Sequence, residues 1–506
     1  MSRFRWNLAS NFLASIWLAI VQFACVPIYV HLLGVEAYGL VGLHVMLTAV
    51  LQALDLGLSP TMNREMAMLS VRETLASKTR NFSLTMEIGY WALGLLLGTL
   101  VILFSHAVAT KWIETDAVTV AAARGAVMMM GVIIALQWPL SFYQSGLRGL
   151  QRQVRLNVVR IVGVTVSNGG AVVALVWFSR SIEMYFAWQI FAMVAQVVLM
   201  RVVFWRSLPS FPEPAKFDIS AVRDALVFTR GMMGVAICGV ILGQMDKLVV
   251  SSRVSLQEFG YYTLASTAAS GLIVFTSPLF SAVFPRLSAF VASGDEAAIR
   301  QTYHSGTQLL ACLIVPAALI LVFFPADVIL AWTQNAEAAA KGAQILRLLA
   351  IGTAINGMMH LPYGLQLAYG WTSIAFRLAL ANLLVFFPLV LTSVSLLGAI
   401  GAAASWAVLN AGYLLLGVPL THRRVLKGSA LPWMLKDVGA PVLAATVVVS
   451  FAKWAWPQPS QGAGMLVIAL FLIAVAGTAC AAAALVSPLV RTQALGAGRW
   501  LARRIA

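Results

Sequence analysis

Few charged side chains occur inside the long apolar stretches of this chain, and those few bound the chemistry open to it. A charge within a hydrocarbon-spanning helix costs about 2.5–3.5 kcal/mol, so it is set against water, a partner or a ligand. Asp55 stands out. Gln52, Asp55 and Ser59 recur at i, i+3 and i+7, which places them on one helix face. Gln137, Ser141, Gln144 and Arg148 form a second polar stripe, and Asn356, His360 and Tyr363 a third. A fourth runs through Asn7, Asn11, Ser15 and Gln22. Such stripes either line a wet cavity or hydrogen-bond one helix to another. Taken together they point to a cavity between helices. Asp55, Asp246 and Glu87 are the candidate carboxylates for a coupling ion, H⁺ or Na⁺, and Glu87 equally suits a buried hydrogen-bonded role.

Cations make up the other half of the constellation. Arg124 and Arg377 fall within apolar spans, whereas Arg64, Arg148 and Arg286 fall at helix ends, where ordinary topology signals also lie. Lys247 adjoins Asp246, but adjacent helical residues point about 100° apart, so the two make poor mutual partners. Near a membrane edge Lys247 also suits snorkelling. Guanidinium groups facing a cavity match a phosphate-bearing substrate, because their planar fork pairs bidentately with phosphate oxygens. The candidate binding residues are therefore Arg64, Arg124, Arg148, Lys247, Arg286 and Arg377, with Gln52, Gln137, Asn356 and His360. Enzyme motifs do not appear: no P-loop, no H-E-x-x-H and no G-x-S-x-G. The six histidines and four cysteines lack metal spacing, so no metal, cofactor or disulfide frame is expected.

These residues must be held by membrane helices. The chain is 60% hydrophobic and 10% charged with a mean hydropathy of +0.88, which excludes a soluble globule. Fourteen apolar spans are expected, at roughly 8–31, 38–60, 83–108, 121–146, 156–179, 183–205, 226–250, 258–283, 303–325, 343–367, 372–396, 399–420, 438–456 and 463–489. Each has about the length that crosses a ~30 Å hydrocarbon core as a helix. Lipid cannot satisfy backbone polar groups, so open sheet is excluded. Arg3 and Arg5 before an apolar run resemble a secretory signal, but Asn7 and Asn11 interrupt it and a second span follows at once; a retained first helix is expected.

The net charge of +16 is distributed as a topology signal. With the N-terminus inside, 23 of the 34 Lys and Arg fall in inner connections and tails, and only 5 (Lys111, Arg180, Arg253, Lys341 and Lys453) fall outside. Both termini are then cytoplasmic, and the charge excess reflects orientation and anionic headgroups rather than nucleic acid.

The chain also repeats itself. The phrase VEAYGLVGL from Val35 returns in degraded form as LQEFGYYTL from Leu256, an offset of 221. Gln22 falls on Gln244, Gln144 on Gln366, Gly149 on Gly370 and Arg155 on Arg377 at offsets of 221 or 222. Spans one to six and seven to twelve are two copies of one unit, and six being even, both enter the membrane in the same sense. The expected layout is a six-helix bundle over 1–206, a cytoplasmic linker over 207–225 rich in Pro, a second bundle over 226–421, and two appended helices with a basic tail over 422–506. The fold class is an all-α polytopic membrane protein.

At this point the residues resemble a family. LLGVEAYGLVGL, followed by LDLGLSPTMNR ending at Arg64, contains an L-G-x-x-x-[YF]-G turn and a D-x-G-x-x-x-x-x-x-R segment. They are similar to those of the polysaccharide-biosynthesis (Wzx-type, O-antigen) flippases of the multidrug/oligosaccharidyl-lipid/polysaccharide exporter superfamily. MDKLVV from Met245 and FGYYTLA from Phe259 look alike too, with Lys247 where arginine is expected. The resemblance covers about residues 1–425 and implies two MATE-like bundles around a cationic cavity. It implies transport of a polyprenyl-pyrophosphate-linked glycan to the outer leaflet of the bacterial cytoplasmic membrane. Its partners would be that glycan, membrane lipid, and the glycosyltransferases and polymerase of the same pathway. Motif positions carry over to Asp55, Arg64, Asp246 and Lys247. The alternatives are a cation-coupled drug exporter, whose cavity would favour acidic and aromatic linings, a membrane glycan polymerase or ligase, which would need a large outer loop, and a receptor or scaffold.

Overall fold

A computed structural model of the chain describes residues 2–55, 58–69, 76–115, 117–218, 233–457 and 464–492. Arg72, Arg223, Arg230, Arg499, Arg503 and Arg504, part of the expected linker and the start of the expected seventh span lie outside the described residues. The elements are helices: α1 Ser2–Leu33, α2 Val35–Gln52, α3 Leu58–Leu69, α4 Ala76–Trp112, α5 Val120–Gly149, α6 Gln153–Trp177 and α7 Ile182–Trp205. Then come α8 Met233–Arg253, α9 Leu256–Ser270, α10 Ile273–Ser293, α11 Glu296–Phe323, α12 Pro325–Thr333 and α13 Ala336–Ala368. Last are α14 Thr372–Arg424, α15 Ala430–Ala455 and α16 Met465–Leu485.

Local chemistry sets the boundaries. Gly34, at φ 83°, ends α1, and its N–H donates to the Val30 carbonyl at 3.1 Å. Thr119, Ser181, Asp295 and Asn335 cap α5, α7, α11 and α13 by accepting from the backbone N–H three residues on.

Twelve helical segments among the described residues are long and apolar enough to cross a membrane. One of them, Ala379–Arg424, is interrupted at Gly398 (φ 58°, ψ −141°). Ser393 and Ser405 hydrogen-bond through their hydroxyls at 2.6 Å. Twelve residues of continuous helix would hold them roughly 18 Å apart, so the chain reverses at Gly398 and α14 is a helical hairpin of two arms. Counting those arms separately brings twelve to thirteen among the described residues, against the fourteen expected; α8 is not among the twelve. Surfaces turned from the packed cores carry exposed Leu95, Leu96, Leu103 and Phe104, apolar area suited to hydrocarbon.

The chain divides into two compact units, Met1–Gln244 with Val254–Gly260, and Met245–Arg253 with Tyr261–Ala506. The core of the first gathers Tyr90, Trp138, Phe142, Tyr143 and Phe204. Their rings meet edge-on or tilted at centroid distances of 5.1–6.1 Å. That of the second gathers Tyr303, Phe324, Leu365, Trp433 and Val449.

Two features follow the 221-residue repeat. The second helix of each half is broken: α2 gives way to α3 through a tight turn at Ala53–Asp55, and α9 to α10 at Gly271 and Leu272. The motif glycines make reciprocal contacts within the first unit. A Cβ on Gly39 would lie 2.6 Å from the Leu256 carbonyl oxygen, and one on Gly260 would collide with the Val35 carbonyl. Two backbones touch there, and only glycine leaves room. Glu36, in the same motif, accepts from the N–H of Ala117 at 2.8 Å and of Val118 at 3.1 Å, and so anchors the loop before α5.

Candidate functional site: a polar pocket around Asp55

The break between α2 and α3 builds the site. An uninterrupted helix would hold Asp55 in its wall; the break leaves it ahead of the first turn of α3, where a carboxylate suits the N-terminal end of the helix dipole. Asp55 Oδ2 accepts from the Ser59 N–H at 2.9 Å. Its Oδ1 accepts from Ser59 Oγ at 3.1 Å and from Tyr90 Oη at 3.0 Å. Ser59 in turn lies 3.1 Å from Ser141 Oγ on α5. The stripes of α2–α3 and α5 therefore face each other. Gln52, Asp55, Gln137, Trp138 and Ser141 line a small, open pocket between them.

Chemically this is a carboxylate with three donors, a serine pair, two carboxamides and one aromatic wall. It suits a proton, a small cation or the hydroxyls of a polar ligand. Of the candidate residues it unites Gln52, Asp55 and Gln137. Tyr90 and Trp138 were missed from sequence: neither falls on a polar stripe, and an aromatic in an apolar helix reads as core.

The other carboxylates have different surroundings. Glu87 is buried and accepts from Arg201 Nε at 2.6 Å, Tyr143 Oη at 2.5 Å and Trp205 Nε1 at 2.9 Å. Both of its oxygens are engaged by α5 and α7. Asp246 is buried and accepts from Tyr262 Oη at 2.5 Å in the second unit. Lys247 beside it is half-buried. Asn356 donates to Asn410 at 2.9 Å, and His360 Nδ1 lies 3.1 Å from the Asn356 carbonyl with its ring edge-on to Phe280.

Among the arginines, Arg64 pairs with Glu65 at 2.9 Å at the surface. Arg124, Arg286 and Arg377 are exposed on α5, α10 and α14. Arg148, at the end of the α5 stripe, lies within electrostatic reach of Arg160 on α6. Among the described residues neither is paired with a carboxylate. Arg160 was not among the expected binding residues.

The stripe of α1 has another use. Asn7 donates to the Gln151 carbonyl at 3.4 Å and Asn11 to Gln153 Oε1 at 2.7 Å, while Asn157 donates to Asn11 Oδ1 at 2.6 Å. This part of the stripe glues α1 to α6 and its approach, the second of the two readings open for such residues.

Comparison with known proteins places this geometry. The model of the family described as "Polysaccharide biosynthesis protein" matches residues 5–291. The chain belongs to that family. A second family model, MatE, matches residues 232–392. The Shigella flexneri protein named "Putative O-antigen transporter" is 21% identical over 384 residues, 74% of this chain and 87% of that protein. Among solved structures, the lipid II flippase MurJ in an inward closed conformation superposes with a TM-score of 0.68 at 16% identity, covering 94% of this chain and 97% of MurJ. An inward-facing multidrug resistance MATE transporter of the MOP superfamily superposes at 0.67 and 14% identity, covering 81% of this chain and 94% of that one. The polytopic helical fold is that of the multidrug/oligosaccharidyl-lipid/polysaccharide superfamily.

Proposed function

We propose that this membrane protein is a flippase that carries polyprenyl-pyrophosphate-linked oligosaccharide across the bacterial cytoplasmic membrane for surface polysaccharide synthesis. The family match over residues 5–291 carries the reading. It is supported by a cation bias that suits a diphosphate and a polar pocket that suits either sugar hydroxyls or a coupling ion. In this reading Arg124 and Arg377 hold the diphosphate, with Arg64, Arg148, Lys247 and Arg286 nearer the helix ends. Asp55 takes up H⁺ or Na⁺, and the lipid tail stays in the bilayer. The membrane potential can contribute about 2.3 kcal/mol per charge per 100 mV.

The test is leaflet-resolved extraction of polyprenyl-linked glycan from cells lacking the gene. Accumulation on the cytoplasmic side is expected. Wild-type protein relieves it, while Arg377→Ala, Arg124→Ala and Asp55→Asn insert normally but do not. Normal export by all three variants would overturn the assignment of the site.

The second reading is a cation-coupled multidrug exporter, favoured by the MatE match over residues 232–392. It predicts no lipid-linked glycan build-up in the deletion strain, and increased sensitivity to cationic dyes instead.

A further inference from the structure

The second unit contains a buried polar cluster that the transport reading does not use. It lies at the arginine-rich ends of the helices, where α11, the close of α14, the first turns of α15 and the residues after α16 meet. His304 Nδ1 is hydrogen-bonded to Asp437 Oδ2. Gln308 Nε2 donates to Asp437 Oδ1 at 2.8 Å, and Gln308 Oε1 accepts from the Leu489 N–H at 3.0 Å. The Asp437 carboxylate thus ties α15 to α11, and Gln308 ties the residues after α16 to the same helix. Asp437 is 4% exposed, whereas His304 keeps 17% of its side chain open, so the pair connects solvent to a closed interior.

Two further polar side chains are stranded beside it. Tyr303 is fully buried and His422 is 1% exposed, with ring centroids 5.5 Å apart. Neither Tyr303 Oη nor His422 Nε2 has a hydrogen-bond partner. Both feel the charge of Asp437. Trp433 closes the cluster, with its indole N–H on Thr307 Oγ1 at 3.2 Å. The remaining charged groups on these elements face away. Arg300 donates to Ser429 Oγ at 2.8 Å and to the Lys427 carbonyl at 3.3 Å, and Arg423, Arg424, Lys436 and Arg491 are exposed. Asp437 is therefore the carboxylate of the cluster and His304 the exchangeable group bonded to it.

We infer that His304 and Asp437 form a proton-exchange site, loaded from solvent through His304, whose occupancy controls how tightly the appended helix pair is held. With one proton on His304 the imidazolium and carboxylate make a neutral, charge-assisted hydrogen bond. Release of that proton to water leaves a buried net negative charge, which a dry interior opposes, and the clamp loosens. The transported molecule plays no part, so this site and the cargo reading stand or fall separately.

Backbone hydrogen exchange of the purified full-length protein in nanodiscs, from pH 5.5 to 8.5 and corrected for intrinsic exchange, tests it. The expected result is a step of about tenfold faster exchange at residues 430–439 and 487–492 as pH rises, as a neutral ion pair becomes a buried, uncompensated carboxylate. Asp437→Asn keeps the shape of the hydrogen bonds but cannot become charged, and its profile should be flat. His304→Gln should be flat for the same reason and carries the test if Asp437→Asn does not accumulate. A merely structural cluster would change overall protection in these variants and leave the pH dependence in place. A flat wild-type profile, or a step retained in either variant, overturns the inference.

Discussion

At the scale of single residues, the two carboxylates of the first unit show how burial separates roles that sequence leaves alike. Glu87 has three strong donors, and its Arg201 partner is 54% exposed. Removing the carboxylate strands Trp205 and takes the acceptor from Tyr143, whereas removing the half-exposed guanidinium leaves a carboxylate still held by two donors. Glu87→Ala is therefore expected to destabilise the protein by roughly 3 kcal/mol, and Arg201→Ala by about 1 kcal/mol or less because of solvent screening. Thermal unfolding of the two variants in detergent measures the order, and equal losses would contradict it. Asp55 has its donors too, but it opens on a pocket with Gln52 and Gln137. The polar spacing of Gln52, Asp55, Gln137 and Ser141 was legible from sequence. The Tyr90 hydroxyl and the Trp138 wall were not, because an aromatic in an apolar helix reads the same whether it fills a core or lines a pocket.

At the scale of elements, the broken second helix of each half matters most. A continuous span over 38–60 was the natural reading, because hydropathy runs on through Leu54, Leu56 and Leu58. The break at Ala53–Asp55 releases a carboxylate at a new helix start, the kind of device that lets backbone irregularity line a site within a membrane. The glycine contact is the other element-scale device. Gly39→Val would drive a side chain into the Leu256 carbonyl, 2.6 Å from where its Cβ would sit. It is expected to lower folded yield at least several-fold, since overpacking costs roughly 1–3 kcal/mol. Gly89→Val, at a position with open space around its Cβ, should be tolerated. Fluorescence-detected size exclusion of the two variants tests the contrast, and similar elution profiles would show that the backbone contact is dispensable.

At the scale of the whole molecule, the distribution of charge predicts orientation. With 23 Lys and Arg assigned to one side and 5 to the other, both termini and the 427–436 connection should face the cytoplasm. Single cysteines at Lys427 and Lys453, in a background with Cys25, Cys238, Cys312 and Cys480 replaced, provide the check. An impermeant maleimide should label the Lys453→Cys protein in intact cells and the Lys427→Cys protein only after permeabilisation. The reverse pattern would invert the topology. Orientation also decides which solution His304 samples, and therefore which compartment sets the state of the proposed proton site.

The sequence by itself determined that this is a helical, multiply spanning membrane protein with an internal repeat. Those properties are local: the thickness of hydrocarbon sets span length, and the need to satisfy backbone hydrogen bonds within it imposes the helix. Tertiary structure decided which polar face meets which. Asn11 pairs with Gln153 on α6, Ser59 with Ser141 on α5, and His304 with Asp437, 133 residues away. In water a polar face is directed outward by solvation. In lipid no such bias exists, and a stripe of Asn or Gln is equally suited to a cavity or to a neighbouring helix until packing brings one of them within reach.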